Sequence, residues 1–110
     1  MVTWEDDRAG VARTIPAGAA HRDHHLVNFA LGVAGEAGEV ADLIKKQVSH
    51  GHTPDPDSLI EELGDVLWTV SALARTLDVP LEEVARRHLA KLQRRYPAGF
   101  DTERSRERGR

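Results

Sequence analysis

Gly35-Glu36-Ala37-Gly38-Glu39-Val40-Ala41-Asp42-Leu43-Ile44-Lys45-Lys46, with its echo Glu61-Glu62-Leu63-Gly64-Asp65, decides how this chain folds and where its chemistry lies. Each stretch holds two carboxylates three residues apart, Glu36 with Glu39 and Glu62 with Asp65. On a helix such residues lie about 60° apart and share a face. Two of these helices side by side aim four acidic groups into one space. Bare carboxylates repel one another and resist leaving water uncompensated. The arrangement therefore asks for a hard divalent cation.

Spacing alone is weak evidence, because chance places about three acidic i,i+3 pairs in a chain of this composition. Position on the helix is stronger. With Glu36 at zero and 100° per residue, Leu26, Phe29, Ala30, Val33, Ala37, Val40 and Ile44 fill an arc of about 20° to 120°. Glu36 sits at its edge and Glu39 just outside, at about −60°. The second helix repeats the pattern from Glu62, with Leu59, Leu63, Val66, Val70, Leu73, Ala74 and Leu77 in the arc and Asp65 again at about −60°. Both pairs flank the apolar seam on the same side, whereas Asp42, Lys45 and Glu61 point away from it.

The bulk numbers set bounds. One hundred and ten residues make one domain with a modest core, and 40% hydrophobic with 30% charged residues is ordinary for a soluble protein. A net charge of −3 gives no global basic footprint for nucleic acid. No cysteine is present, which excludes disulfides and thiolate chemistry and suits a reducing compartment. No apolar run reaches the ~18 residues of a membrane span. The acidic amino terminus lacks a secretory h-region, so a cytoplasmic protein is expected.

In chain order, Thr3 caps a short helix over 3–13 with Asp6 completing a capping box, and Pro16 and Gly18 end it in a loop over 17–20. A strong 3.6-residue period runs from Asp23 to Ser49, with Lys45 and Lys46 near the negative end of the dipole and His50-Gly51 as the stop. Glycines 32, 35 and 38 weaken that helix and mark either close approach of a helix or ligand, or simply tight packing. Asp55-Pro56 or Asp57-Ser58 starts the next helix, running to Leu77. Pro80 opens a last helix to Tyr96, with Glu82 and Glu83 in its first turn and Pro97-Ala98-Gly99 beyond its end. Residues 101–110 have no apolar side chain and are expected to be a disordered charged tail. The expected fold is all-α: an antiparallel bundle of about four helices over residues 1–100.

Further polar positions border the seam. On the last helix His88, Lys91 and Arg95 lie along one edge of the apolar arc, a line suited to phosphate or to covering the core edge with long basic stems. Lys46 and Asn28 lie near Glu39 on the wheel; Lys46 could hold a phosphate, neutralise Glu39 or satisfy the helix dipole. The six histidines lack a zinc-ligating pattern and read as exposed. Trp68 projects opposite the seam, where an exposed tryptophan marks a subunit contact.

These residues resemble a known family. Asn28-Phe-Ala-Leu-Gly-Val-Ala-Gly-Glu-Ala-Gly-Glu-Val-Ala-Asp-Leu-Ile-Lys-Lys46, Glu61-Glu-Leu-Gly-Asp-Val-Leu-Trp68 and Lys91-Leu-Gln-Arg-Arg-Tyr-Pro-Ala-Gly-Phe100 together are similar to the MazG-like all-α nucleoside triphosphate pyrophosphohydrolases. The family's ExxE and ExxD motifs stand 22 residues apart here, Glu39 to Glu62. The resemblance implies that Glu36, Glu39, Glu62 and Asp65 hold Mg²⁺, with Mn²⁺ as a substitute. It implies cleavage of an NTP or dNTP to the monophosphate and pyrophosphate, with Glu36 or Glu39 handling the attacking water. Lys91 and Arg95 match phosphate-contacting positions, and Asn28 and His24 match positions lining the pocket; Lys46 joins them as a substrate-binding candidate. His88 stands where relatives commonly carry asparagine, a departure bearing on sugar or base recognition. The resemblance also implies a homodimer or homotetramer. The alternative reading of the chain is a non-catalytic helical dimerisation module.

Overall fold

The computed structural model describes residues 1–15, 22–53 and 55–107. Five helices follow one another: α1 Trp4–Thr14, α2 Arg22–Ser49, α3 Pro56–Thr76, α4 Leu81–Arg95 and α5 Thr102–Arg106. No strand occurs among the described residues, and the all-α expectation holds. The loop over 17–20, with Pro16 and Gly18, lies outside the described residues.

The helix boundaries follow the caps. Thr3 and Asp6 form a reciprocal capping box at α1, satisfying amides that the first turn leaves without partners. Asp55 caps α3 ahead of Pro56 at its first position. Between α3 and α4 the chain reverses through Asp78, whose φ of 57° lies in the left-handed region. The Val79 amide returns to the Ala74 carbonyl at 2.9 Å, closing the end of α3.

α2 and α3 form an antiparallel hairpin whose register can be followed pair by pair. The Arg22 Nε–H donates to the Thr76 carbonyl at 3.2 Å. Phe29 meets Trp68 edge to face at 5.7 Å. A Cβ placed on Gly32 would stand 3.1 Å from Thr69 Cγ2. Of the three glycines in α2, Gly32 therefore marks the close approach, while Gly35 and Gly38 face open space.

α1 is fastened across α3 and α4 largely by polar contacts. The Ser71 hydroxyl donates to Asp7 at 2.7 Å and Trp68 Nε1–H to the Thr14 hydroxyl at 2.7 Å, while Arg8 pairs with Glu82 of α4. This corrects the placement of Trp68: it is half-buried between Phe29 and the end of α1, not exposed for a subunit. The helical wheel gives its direction correctly but does not say which element covers that direction.

The buried core is small and sits where α1 meets the C-terminal half of α3: Val11, Thr69, Ser71, Ala72, Ala74 and Leu81. Much of the seam is open, with Leu63 55% exposed, and outside it Leu31 and Leu89 are 67% and 64% exposed. The radius of gyration is 17.1 Å, against about 13 Å for a compact domain of this length. Of the segment expected to be a disordered tail, residues 101–107 are described, and Thr102–Arg106 form a helix. Asp101 caps α5 by accepting the Glu103 amide, and Arg104 donates to the carbonyls of Arg95 and Arg94 at 2.5 and 3.0 Å. A charged segment gains order here by satisfying the carbonyls at the end of α4.

The packing at Gly32 generates a stability contrast. Gly32→Val should lower stability by about 1–3 kcal/mol, because Thr69 is buried and cannot retreat easily. Gly38→Ala should raise it by up to about 1 kcal/mol through helix propensity. Urea denaturation of the three proteins measures both.

Candidate metal and nucleotide site

The register that sets Phe29 on Trp68 and Gly32 on Thr69 continues one turn along α2 to Glu36, which faces Glu62 and Asp65 of α3. One carboxylate oxygen from each of the three lies within 4.8 Å of the others. Glu36 and Glu62 are half-buried and Asp65 is exposed. This is the single group of three or more potential metal ligands among the described residues.

Glu39, one turn beyond Glu36, is exposed and stands outside that tight group. Its charge is still felt there. The Glu62 carboxyl is held above its ordinary value first by desolvation, then by the charges of Asp65, Glu39, Glu36 and Glu61. The crowding foreseen from the i,i+3 spacing is thus present, with Glu62 at its centre.

The donor set fits a hard cation. Around an octahedral Mg²⁺ with bonds of about 2.1 Å, adjacent oxygens stand about 3 Å apart and opposite ones about 4.2 Å. Oxygens within 4.8 Å reach such spacings by side-chain rotation. Three carboxylates also leave coordination positions for water or phosphate oxygens, as Mg²⁺ sites commonly do.

The other candidate residues are less closely gathered. Lys46 pairs with Asp42 one turn back at 2.8 Å, which raises the lysine pKa and lowers that of the aspartate. The i,i+4 spacing of Asp42 and Lys46 was the sequence signal for that pair, and it outweighs the wheel position beside Glu39. Asn28 and His24 are exposed on α2, about 12 and 18 Å along the axis from Glu36 toward the N-terminus. Lys91 and Arg95 are half-buried on α4, a helix that rests on α1 and α3. No hydrogen bond or ion pair among the described residues joins them to the carboxylates, and His88 is exposed. Sequence reasoning did not find Arg104, whose hold on the Arg95 carbonyl depends on the fold of the tail and leaves no periodic trace.

A family model for the MazG nucleotide pyrophosphohydrolase domain matches residues 24–100. The chain belongs to the MazG nucleotide pyrophosphohydrolase family. The match spans both carboxylate pairs and the basic edge of α4. The chain is also 44% identical over 73 residues to the Gene 37 protein of Mycobacterium phage L5, a similarity covering 63% of this chain and 64% of the phage protein. No solved structure matches it. Members of the MazG family generally depend on a divalent metal, and the acidic group between α2 and α3 gathers oxygen donors of the kind such an ion takes.

Like-charge crowding makes the metal-free protein sensitive at one position. Glu62→Gln should raise the melting temperature in EDTA at neutral pH and low ionic strength, with a smaller gain in high salt. A carboxyl whose folded pKa is raised stabilises the fold below its unfolded pKa and loses that contribution as pH rises through the folded pKa. The advantage of the variant should therefore fade on acidification, as wild-type Glu62 takes up its own proton. Thermal melts across pH and salt measure this.

Proposed function

We propose that this chain hydrolyses nucleoside triphosphates, NTP or dNTP, to the monophosphate and pyrophosphate with Mg²⁺ as its metal and Mn²⁺ as a substitute. The observation that carries the reading is the convergence of Glu36, Glu62 and Asp65 from two helices within a MazG-family domain. Mg²⁺ held by these residues and Glu39 would supply neutralising charge for the triphosphate and acidify water.

The residues then divide the work. Glu36, Glu62 and Asp65 present the gathered oxygens. Glu39, exposed at the edge of that group, orients the attacking water and accepts its proton, with Glu36 as the neighbouring carboxylate. The water oxygen bonds to the α-phosphorus, the bond from the α-phosphorus to the α,β-bridging oxygen breaks, and pyrophosphate departs carrying that oxygen and the electron pair. Lys91 and Arg95 offset the charge on the departing group. Asn28 and His24 line the nucleoside end, and Lys46 can exchange its surface pairing with Asp42 for a phosphate.

A homodimer or homotetramer belongs to this proposal. Ile60, Leu63 and Leu67 form an exposed apolar stripe on α3, and Leu31 is exposed on α2. Among the described residues no hydrogen bond or ion pair joins Lys91 or Arg95 to the carboxylates of their own subunit, so a second copy completes the site. We place the reaction in the cytoplasm, where nucleoside triphosphates are held; no described helix is long and apolar enough to cross a membrane.

Pyrophosphate release from a panel of NTPs and dNTPs tests the proposal. Turnover is expected with Mg²⁺ or Mn²⁺ and none in EDTA. Glu39→Gln should lower kcat by about 100-fold or more, while Lys91→Ala and Arg95→Ala raise KM by about tenfold. Absence of turnover with every triphosphate and divalent ion would sink the proposal.

A further inference from the structure

On α3, Ser71 and Arg75 lie about 180° to 220° around the axis from Glu62, turned away from the carboxylate face, and Asp78 follows in the turn beyond the helix. There, between α1, the end of α3 and the start of α4, is a cleft of about 490 Å³. That volume lies within the roughly 300–1,000 Å³ of small-molecule sites. Val11 and Leu81, both buried core residues, contribute apolar lining together with Val79 and Pro80. The polar lining is Arg8, Ser71, Arg75 and Asp78. Arg8 is engaged by Glu82, and the Ser71 hydroxyl proton by Asp7. Among the described residues, the Arg75 guanidinium and the Asp78 carboxylate have no side-chain partner.

We infer that this cleft is a second small-molecule site, taking a compact organic anion with an apolar body and a hydroxyl or amine donor. Arg75 presents a planar fork of donors matched to a carboxylate or phosphate. Asp78 accepts hydrogen bonds only, so it welcomes a ligand hydroxyl or amine and repels a bare anion. The apolar residues hold the rest of the ligand, which excludes inorganic ions as good occupants. Nucleoside monophosphates and aromatic hydroxy acids share this chemistry, and the cleft accommodates either in size.

The test is ¹H–¹⁵N NMR titration of the full chain in EDTA with AMP, 4-hydroxybenzoate and inorganic phosphate as separate probes. Removing the metal makes the result independent of the proposed hydrolysis. Saturable shifts are expected at the amides of Ser71, Arg75 and Leu81 with at least one organic probe, and weaker ones with phosphate. Which organic probe saturates first distinguishes a nucleotide from an aromatic acid. Arg75→Gln, at an exposed position, should weaken the organic probe about tenfold. Asp78→Asn, which tolerates the left-handed backbone, should weaken the organic probe and strengthen phosphate. The inference is overturned if neither organic probe saturates, if the shifts centre on Glu36 and Glu62, or if Arg75→Gln binds as the wild type does.

Discussion

The close approach of α2 to α3 at Gly32 is the constraint on which the rest of the molecule depends. With Thr69 so near the glycine, the two helices lock in one antiparallel register. Phe29 falls against Trp68 on one side of that point, and Glu36 against Glu62 and Asp65 on the other. A side chain in place of that hydrogen would crowd the buried Thr69 methyl and strain the register that sets the carboxylates opposite one another. Packing and chemistry therefore share one cause.

The same pairing explains why the core is thin. A helix buries one stripe at a time, and two helices cannot enclose a seam without a third layer. α1 covers the outer face of α3, leaving parts of the seam and the outer leucines of α2 and α4 in water. The result is a framework with one well-packed corner and long apolar edges. Its extended radius of gyration has the same origin.

The helix pattern was legible because period, caps and breakers agreed: Thr3 with Asp6, Asp55 before Pro56, and the short Asp78-Val79 turn before Pro80. The gathering of Glu36, Glu62 and Asp65 was legible for the same reason, since both pairs sat on one side of one seam. Three features were not. Trp68 needed knowledge of what α1 covers, and α1 docks by hydrogen bonds rather than by an apolar stripe. The order of the tail depends on Arg104 reaching carbonyls across a turn, an interaction that composition does not reveal. Lys46 lies near Glu39 by angle and feels its charge, yet the direct pairing is with the i,i+4 aspartate, which the wheel alone does not reveal.

α1 has one buried apolar residue, Val11, and otherwise depends on an ion pair and two hydrogen bonds to α3 and α4. Lifting it breaks those few polar contacts and uncovers the small core beneath Val11, so its seating rests on a short list of interactions that opening must break together. Two walls of the cleft, Arg8 and Val11, travel with it. Occupancy of that cavity and seating of the amino-terminal helix are thermodynamically linked: whatever fills one holds the other shut.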